Sequence, residues 1–351
     1  MTRLEDDLLA EAHRLGFALA GIAPATAADD FDRYQAWLEE GHAGEMAYLH
    51  THAEARRHPS GVYPPVRSVL MVGMSYAPKR ETKPGTGRVA LFAQGPDYHA
   101  ILRERLKQLG RWLSERRPGC RGRVAVDTAP LLERGFARRA GLGWVGKNTL
   151  LIHPRKGSWI VLGALLVDIE LAASKPFDSF HCGTCRACLD ACPTQAFVGP
   201  GTLDARKCIS YHTIERKGPL EEPWKIAIDD WLYGCDICQE VCPWNRKAPP
   251  GDDALAPRED LVSLDARELL SLDAEAFRRK FTGTAMYPRP GRPVLLRNAA
   301  LVLGNTSGAD ALPALRAAGD DPEPIVREAA LWAIGRIESR LGPGGTGESP
   351  P

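Results

Sequence analysis

Eight of the nine cysteines fall between Cys182 and Cys242. The first run, CGTCRACLDACP, sets Cys182, Cys185, Cys188 and Cys192 at C-x2-C-x2-C-x3-C-P spacing. This is the bacterial ferredoxin spacing, in which three thiolates hold one 4Fe–4S cubane and the fourth, before the proline, reaches a second. The pattern therefore demands a second run, and CDICQEVCP supplies Cys235, Cys238 and Cys242. Leu232 stands where its first cysteine would be, so Cys208, in DARKCIS, takes the vacant place. One cluster is assigned Cys182, Cys185, Cys188 and Cys242, the other Cys192, Cys208, Cys235 and Cys238. Structural zinc is the competing reading, but paired C-x2-C zinc sites do not explain two C-x3-C-P endings. Disulfides do not suit a cytosolic chain. Cys120, outside the pattern, reads as a free thiol in a turn.

A second stretch, GLGWVGKN from Gly141 to Asn148, has the form G-x-G-x-x-G. A dinucleotide fingerprint needs a strand before the first glycine and a helix after the third. Here the order is inverted: PLLERGFARRA before it reads as helix, and TLLIHP after it as strand. The bland reading is a helix C-cap at Gly141 and a tight turn into a strand.

The elements that must position these groups come from periodicity. FALAGIA, SVLMVGMSY, RVAVD and SWIVLGALLVDI are apolar strand-like runs, and DYHAILRERLKQLGRWLSERR is a long amphipathic helix. APKRETKPGTGR, residues 77–88, reads as a surface loop, and APPGDDALAP, residues 248–257, as a linker. Beyond it, LRNAALVLGN from Leu296 is echoed by VREAALWAIGR from Val326, which suggests HEAT-like helical repeats or two unrelated amphipathic helices. With 351 residues and 44% hydrophobic content, the chain is expected to form two or three globular domains. No run is long enough for a membrane span and the N-terminus reads as a charged amphipathic helix rather than a signal peptide, so a cytoplasmic protein with no membrane partner is expected. A net charge of +1 confines any nucleic-acid surface to a local patch.

VDTAPLLERGFARRAGLGWVGKNTLLI, the Asp97–His99 triplet, the two cysteine runs with DARKCISY, and YGCDICQEVCPWN together resemble the epoxyqueuosine reductases over about residues 5–337. That family is similar to the reductive dehalogenases in joining a cobalamin-binding domain to a two-cluster ferredoxin module. The resemblance implies reduction of the epoxide of epoxyqueuosine at the wobble position (34) of tRNA, with base-off cobalamin, two 4Fe–4S clusters and an external low-potential electron donor. A reductive dehalogenase acting on a small molecule is the alternative. The implied layout is α+β: an α/β-like cobalamin-binding domain at 1–175, a ferredoxin-like domain at 176–250, a HEAT-like tRNA-binding domain at 258–340, and a disordered tail at 341–351.

Residue roles follow from the resemblance. Asp127 ends a strand, where α/β folds place working groups, and the resemblance makes it the proton donor, a task suited to a raised pKa; capping of the following helix is the plain alternative. Gly141, Gly143 and Gly146 would let backbone approach the corrin, with Lys147 and Asn148 donating to its amides and Arg56 contacting cobalamin. Asp97-Tyr98-His99 begins like D-x-H-x-x-G, in which histidine ligates cobalt, but Leu102 replaces the glycine. His99 is therefore not assigned to cobalt, and Tyr98 and His99 are placed on the substrate side. The acid-free segment 278–297, with Arg289, Arg292 and Arg297, is the expected phosphate-binding patch.

Overall fold

The computed structural model describes residues 3–78 and 86–342. Most of the loop expected at residues 77–88 and nearly all of the tail expected at 341–351 lie outside the described residues.

A four-stranded sheet organises the first half of the chain. Its strands are β1 (Leu19–Pro24), β2 (Ser68–Ser75), β3 (Gly122–Ala125) and β4 (Ile160–Val167), in the order β1-β2-β4-β3. Every pairing is antiparallel. This corrects the α/β-like part of the expected fold: the domain is α+β. The cause of the misreading is β2, which is buried along its whole length. A continuous apolar run reads as a parallel strand, yet here an antiparallel sheet is covered on both faces.

The two faces follow the period-two alternation of strand side chains. Leu70, Val72 and Met74 face α1 (Leu4–Arg14) and α2 (Tyr98–Arg116), where Leu102, Leu106, Leu109 and Leu113 form the buried stripe. Val69 and Met71 face α3 (Glu133–Arg139) through Phe136 and Ala137. Helix α2 begins where Asp97 accepts the His99 N–H, a side-chain cap.

The second half folds differently. The helices α4 (Arg292–Thr306) and α5 (Pro324–Leu341) pack together, and one core joins them to Ile209, Trp231, Leu232 and Tyr233 of the cysteine-rich segment. The linker expected at 248–257 thus joins parts that share a core. It is also pinned to the sheet, because Asp252 N–H donates to the Ser75 carbonyl and the Asp252 carboxylate pairs with Arg105 at 2.7 Å. No helix among the described residues is long and apolar enough to cross a membrane.

Candidate functional site

The glycine-rich stretch is built for protein contacts. Helix α3 ends in a Schellman turn, with Leu142 N–H donating to Ala137 O and Gly141 N–H to Arg138 O, and Gly141 lies at φ +83°. A short antiparallel hairpin follows, pairing Trp144–Val145 with Leu151–Ile152. A Cβ at Gly141 would stand 2.5 Å from Lys175 O, and one at Gly143 2.2 Å from Ile152 O. The close approach that Gly141 and Gly143 permit on this side is to the chain's own backbone.

The hairpin grips the cysteine loops. Lys147 Nζ donates to the carbonyls of Gly183 (2.7 Å) and Cys185 (2.8 Å), and Asn148 Nδ2 to that of Cys238 (3.5 Å). Trp144 Nε1 lies 3.5 Å from Cys182 Sγ, and Trp144, Ile152 and Cys242 form a small core with Phe177 and Trp244. Lys147 and Asn148 thus donate to the cysteine loops. Two short helices, Ala187–Asp190 and Ile237–Glu240, meet across the segment.

The thiols fall into two neighbourhoods. Burial raises Cys188 to about 11, helped by Cys242, Cys182 and Cys185. Burial raises Cys235 to about 12, with Cys208 and Cys192 as its thiol neighbours, and Cys238 feels Cys235 and Cys208 most among the thiols and, more weakly, Cys188 of the first group. All eight are free cysteines, and among the described residues no three His, Cys, Asp or Glu side chains converge on a single-ion site.

Beside these loops, polar side chains gather around the accessible Asp127 carboxylate, and that open surface is termed the cleft. Beyond β3, Asp127 adopts φ +53°, and its side chain stays 58% accessible. Its Oδ2 lies 3.3 Å from His99 Nε2, while His99 Nδ1 lies 2.7 Å from Asp97 Oδ1. Tyr98 stacks on the His99 ring at 4.0 Å. Helix α3 starts only at Glu133, so Asp127 does not cap it. Behind the carboxylate, Glu133 Oε1 accepts the Asp127 N–H at 2.9 Å, and Arg134 Nη1 donates to Thr149 O at 2.8 Å.

Protonation in the cleft differs from expectation. The His99 hydrogen bond, helped by nearby positive charge, holds Asp127 below the usual aspartate range against the effect of burial. Burial disfavours the charge on His99, but hydrogen bonds to Asp127 and Asp97 outweigh it and lift the imidazole to about 9. Burial, then the Asp127 charge, raises Glu133 to about 8. At neutral pH the protons therefore reside on His99 and Glu133, which corrects the raised pKa expected at Asp127.

The far wall comes from three segments. Arg289 pairs with Glu215, lies 3.3 Å from the Tyr48 hydroxyl and faces the Tyr48 ring at 5.2 Å. Its charge is felt at Asp127. Arg56 is buried, donating to His52 O at 2.9 Å and lying over the Tyr34 ring, so it is not a solvated surface residue. Two members of the expected phosphate patch are corrected. Arg297 is 1% exposed, with its guanidinium bound to the carbonyls of His212, Arg216 and Gly218, where no phosphate can reach it. Arg292 is tied to Asp321 and Leu272 O. Sequence reasoning missed Glu133, Arg134, Tyr48 and Glu215. The one signal was an acidic residue in the first turn of a helix, which is ordinarily read as complementing the helix dipole.

Two cysteine neighbourhoods beside a cleft of coupled acids and a histidine define an iron–sulfur oxidoreductase. Residues 181–245 match the 4Fe-4S double cluster binding domain family, and residues 56–128 match the family described as epoxyqueuosine reductase QueG, DUF1730. An epoxyqueuosine reductase of Pseudomonas aeruginosa is 40% identical over 343 residues, 95% of this chain and 94% of that protein. The chain belongs to the epoxyqueuosine reductase family. Among solved structures, an epoxyqueuosine reductase with a tRNA-Tyr epoxyqueuosine-modified stem loop aligns with TM-score 0.88 and 32% identity, covering 95% of this chain and 90% of that one. The Bacillus subtilis enzyme, described with its catalytic aspartate loop swung out of the active site, aligns with TM-score 0.86 and 31% identity over 95% of this chain and 90% of its own.

Proposed function

We propose that this protein reduces the epoxide of epoxyqueuosine at the wobble position of tRNA to give queuosine, with Asp127 as the group that delivers protons. The observation that carries the reading is the coupled Asp97–His99–Asp127 array facing a cleft beside the Cys238 loop, in a chain whose relative holds an epoxyqueuosine-modified stem loop. Removing an epoxide oxygen as water consumes two electrons and two protons and leaves a carbon–carbon double bond. His99 stores a proton at Nε2, and Asp127 Oδ2, 3.3 Å away and open to the cleft, hands it on.

The donor set fits base-off cobalamin. His99 has both ring nitrogens engaged by carboxylates, so it offers no imidazole to cobalt, while Asp127 stays accessible to face a ligand. When bound, cobalamin supplies a metal that passes electrons from the clusters to the substrate. Arg56 and Asp127 would face it in this reading, and Lys147 and Asn148 would act behind it by holding the cluster loops, on the hairpin that Gly143 and Gly146 shape. The clusters take Cys182, Cys185, Cys188 and Cys242, and Cys192, Cys208, Cys235 and Cys238. Their electrons come from an external low-potential donor.

The division at 1–175, 176–250 and 258–340 describes these tasks. The C-terminal helices, read as HEAT-like, bring Arg289 to the cleft wall, where with Tyr48, Tyr98 and His99 it meets the substrate. Anaerobic incubation with reductant, cobalamin and epoxyqueuosine-containing tRNA tests the reading: the nucleoside should lose the mass of one oxygen atom, and an unchanged mass with a fully loaded protein would refute it.

A further inference from the structure

Two of the four described non-glycine residues with left-handed backbone border the cleft: Asp127 at φ +53° and Thr149 at φ +66°. Such a conformation is costly for a side-chain-bearing residue and persists only where its surroundings fix it. Consecutive residues at the start of α3 do the fixing. Glu133 Oε1 accepts the Asp127 N–H at 2.9 Å, and Arg134 Nη1 donates to Thr149 O at 2.8 Å and to Thr149 Oγ1 at 3.2 Å. The sheet does not hold Asp127, because the ladder between β3 and β4 ends at the pair Ala125–Ala164.

We propose that Glu133 is a positioning residue for the reaction: by accepting the Asp127 N–H, it fixes the left-handed turn that aims the Asp127 carboxylate at His99 and into the cleft. The inference rests on the proton-delivery role given to Asp127 above. An acidic residue in a first helical turn commonly serves the helix dipole and points to solvent. Glu133 instead turns back to a backbone amide six residues earlier.

Its protonation suits the task. The groups that act on it are Asp127 from the loop, His99 and Tyr98 from α2, and Arg134 beside it. With a pKa of about 8, a neutral Glu133 accepts the amide without placing a second negative charge beside Asp127. The pKa is raised, so below the ordinary glutamate range Glu133 adds no charge beside Asp127, and as pH rises through about 8 it ionises and repels the Asp127 carboxylate while still accepting the amide.

Glu133→Ala and Glu133→Gln in the full, reconstituted protein test the proposal, because glutamine keeps an acceptor oxygen and cannot titrate. Hydrogen exchange at the Asp127 amide, read without substrate, should accelerate at least tenfold in E133A, with single turnover slowed at least tenfold and iron content and tRNA affinity unchanged. E133Q should keep the amide protected and turnover within about threefold of the parent, and its rate should decline less between pH 6 and 8. Unchanged exchange in E133A would overturn the proposal, as would E133Q behaving like E133A in both exchange and turnover. Full activity in D127N would refute the proton-delivery reading itself, and the exchange data separate that failure from a failure at Glu133.

Discussion

At the scale of single residues, the cleft inverts the simplest idea of its chemistry. Asp127 is poised by being held ionised beside a protonated partner rather than by a raised pKa. Asp127→Asn should lower turnover by roughly 10²- to 10⁴-fold while iron and cobalamin stay bound, since the amide cannot pass the proton. The pH dependence has a definite sign. His99, raised to about 9, keeps its pairing with Asp127 intact below the ordinary histidine range and loses it as pH rises through about 9. Single-turnover rates should therefore fall on the alkaline side, and His99→Gln should leave a low rate without that limb. Arginines separate in the same way. Arg289→Ala should lower the salt slope of tRNA binding by up to about one, the share of one phosphate contact, at a small cost in stability because Glu215 and Tyr48 lose their partner. Arg297→Ala should instead cost about 3 kcal/mol or more in denaturant unfolding, because it strands buried carbonyls.

At the scale of elements, the hairpin after α3 links the sheet domain to the cysteine loops. Its glycines are fixed by geometry: Gly141 lies at φ +83° with no room for a Cβ beside Lys175 O. Gly141→Ala should destabilise the protein by roughly 1–3 kcal/mol in thermal or denaturant melts. Lys147→Met should leave the sheet domain folded and speed the loss of iron on dilution, because the carbonyls of Gly183 and Cys185 lose their donor. A Lys147 variant with parental iron retention would show that the hairpin does not hold the loops.

At the scale of the whole molecule, the C-terminal helices are part of the core that carries the second cysteine group. Trp231, Leu232 and Tyr233 are buried with residues of α4 and α5, and Asn298 donates to the carbonyls of Thr213 and Leu232. A chain ending at residue 257 should accordingly keep only about half of the roughly eight irons that two cubanes imply. Cys208→Ala in the full chain should show a similar loss, and Cys120→Ala none. Iron analysis after anaerobic reconstitution reads all three.

What the sequence determined by itself was whatever local spacing specifies. Thiolate spacing reflects how loops wrap a cubane, so the cysteine runs were legible, as were the strands, α2 and the C-cap at Gly141. The antiparallel order of the sheet was not, since a strand buried on both faces looks the same in either direction. The charge state of Asp127 was also beyond reach. It depends first on the hydrogen bond to His99, 28 positions earlier, and then on the charges of His99, Arg289 and Arg134, which only the fold brings near. Arg289 and Arg297 carry the same formal charge eight residues apart, yet one faces the cleft and the other lies in the core. Only tertiary packing decides which neighbours a charge meets, and those neighbours set its pKa and its task.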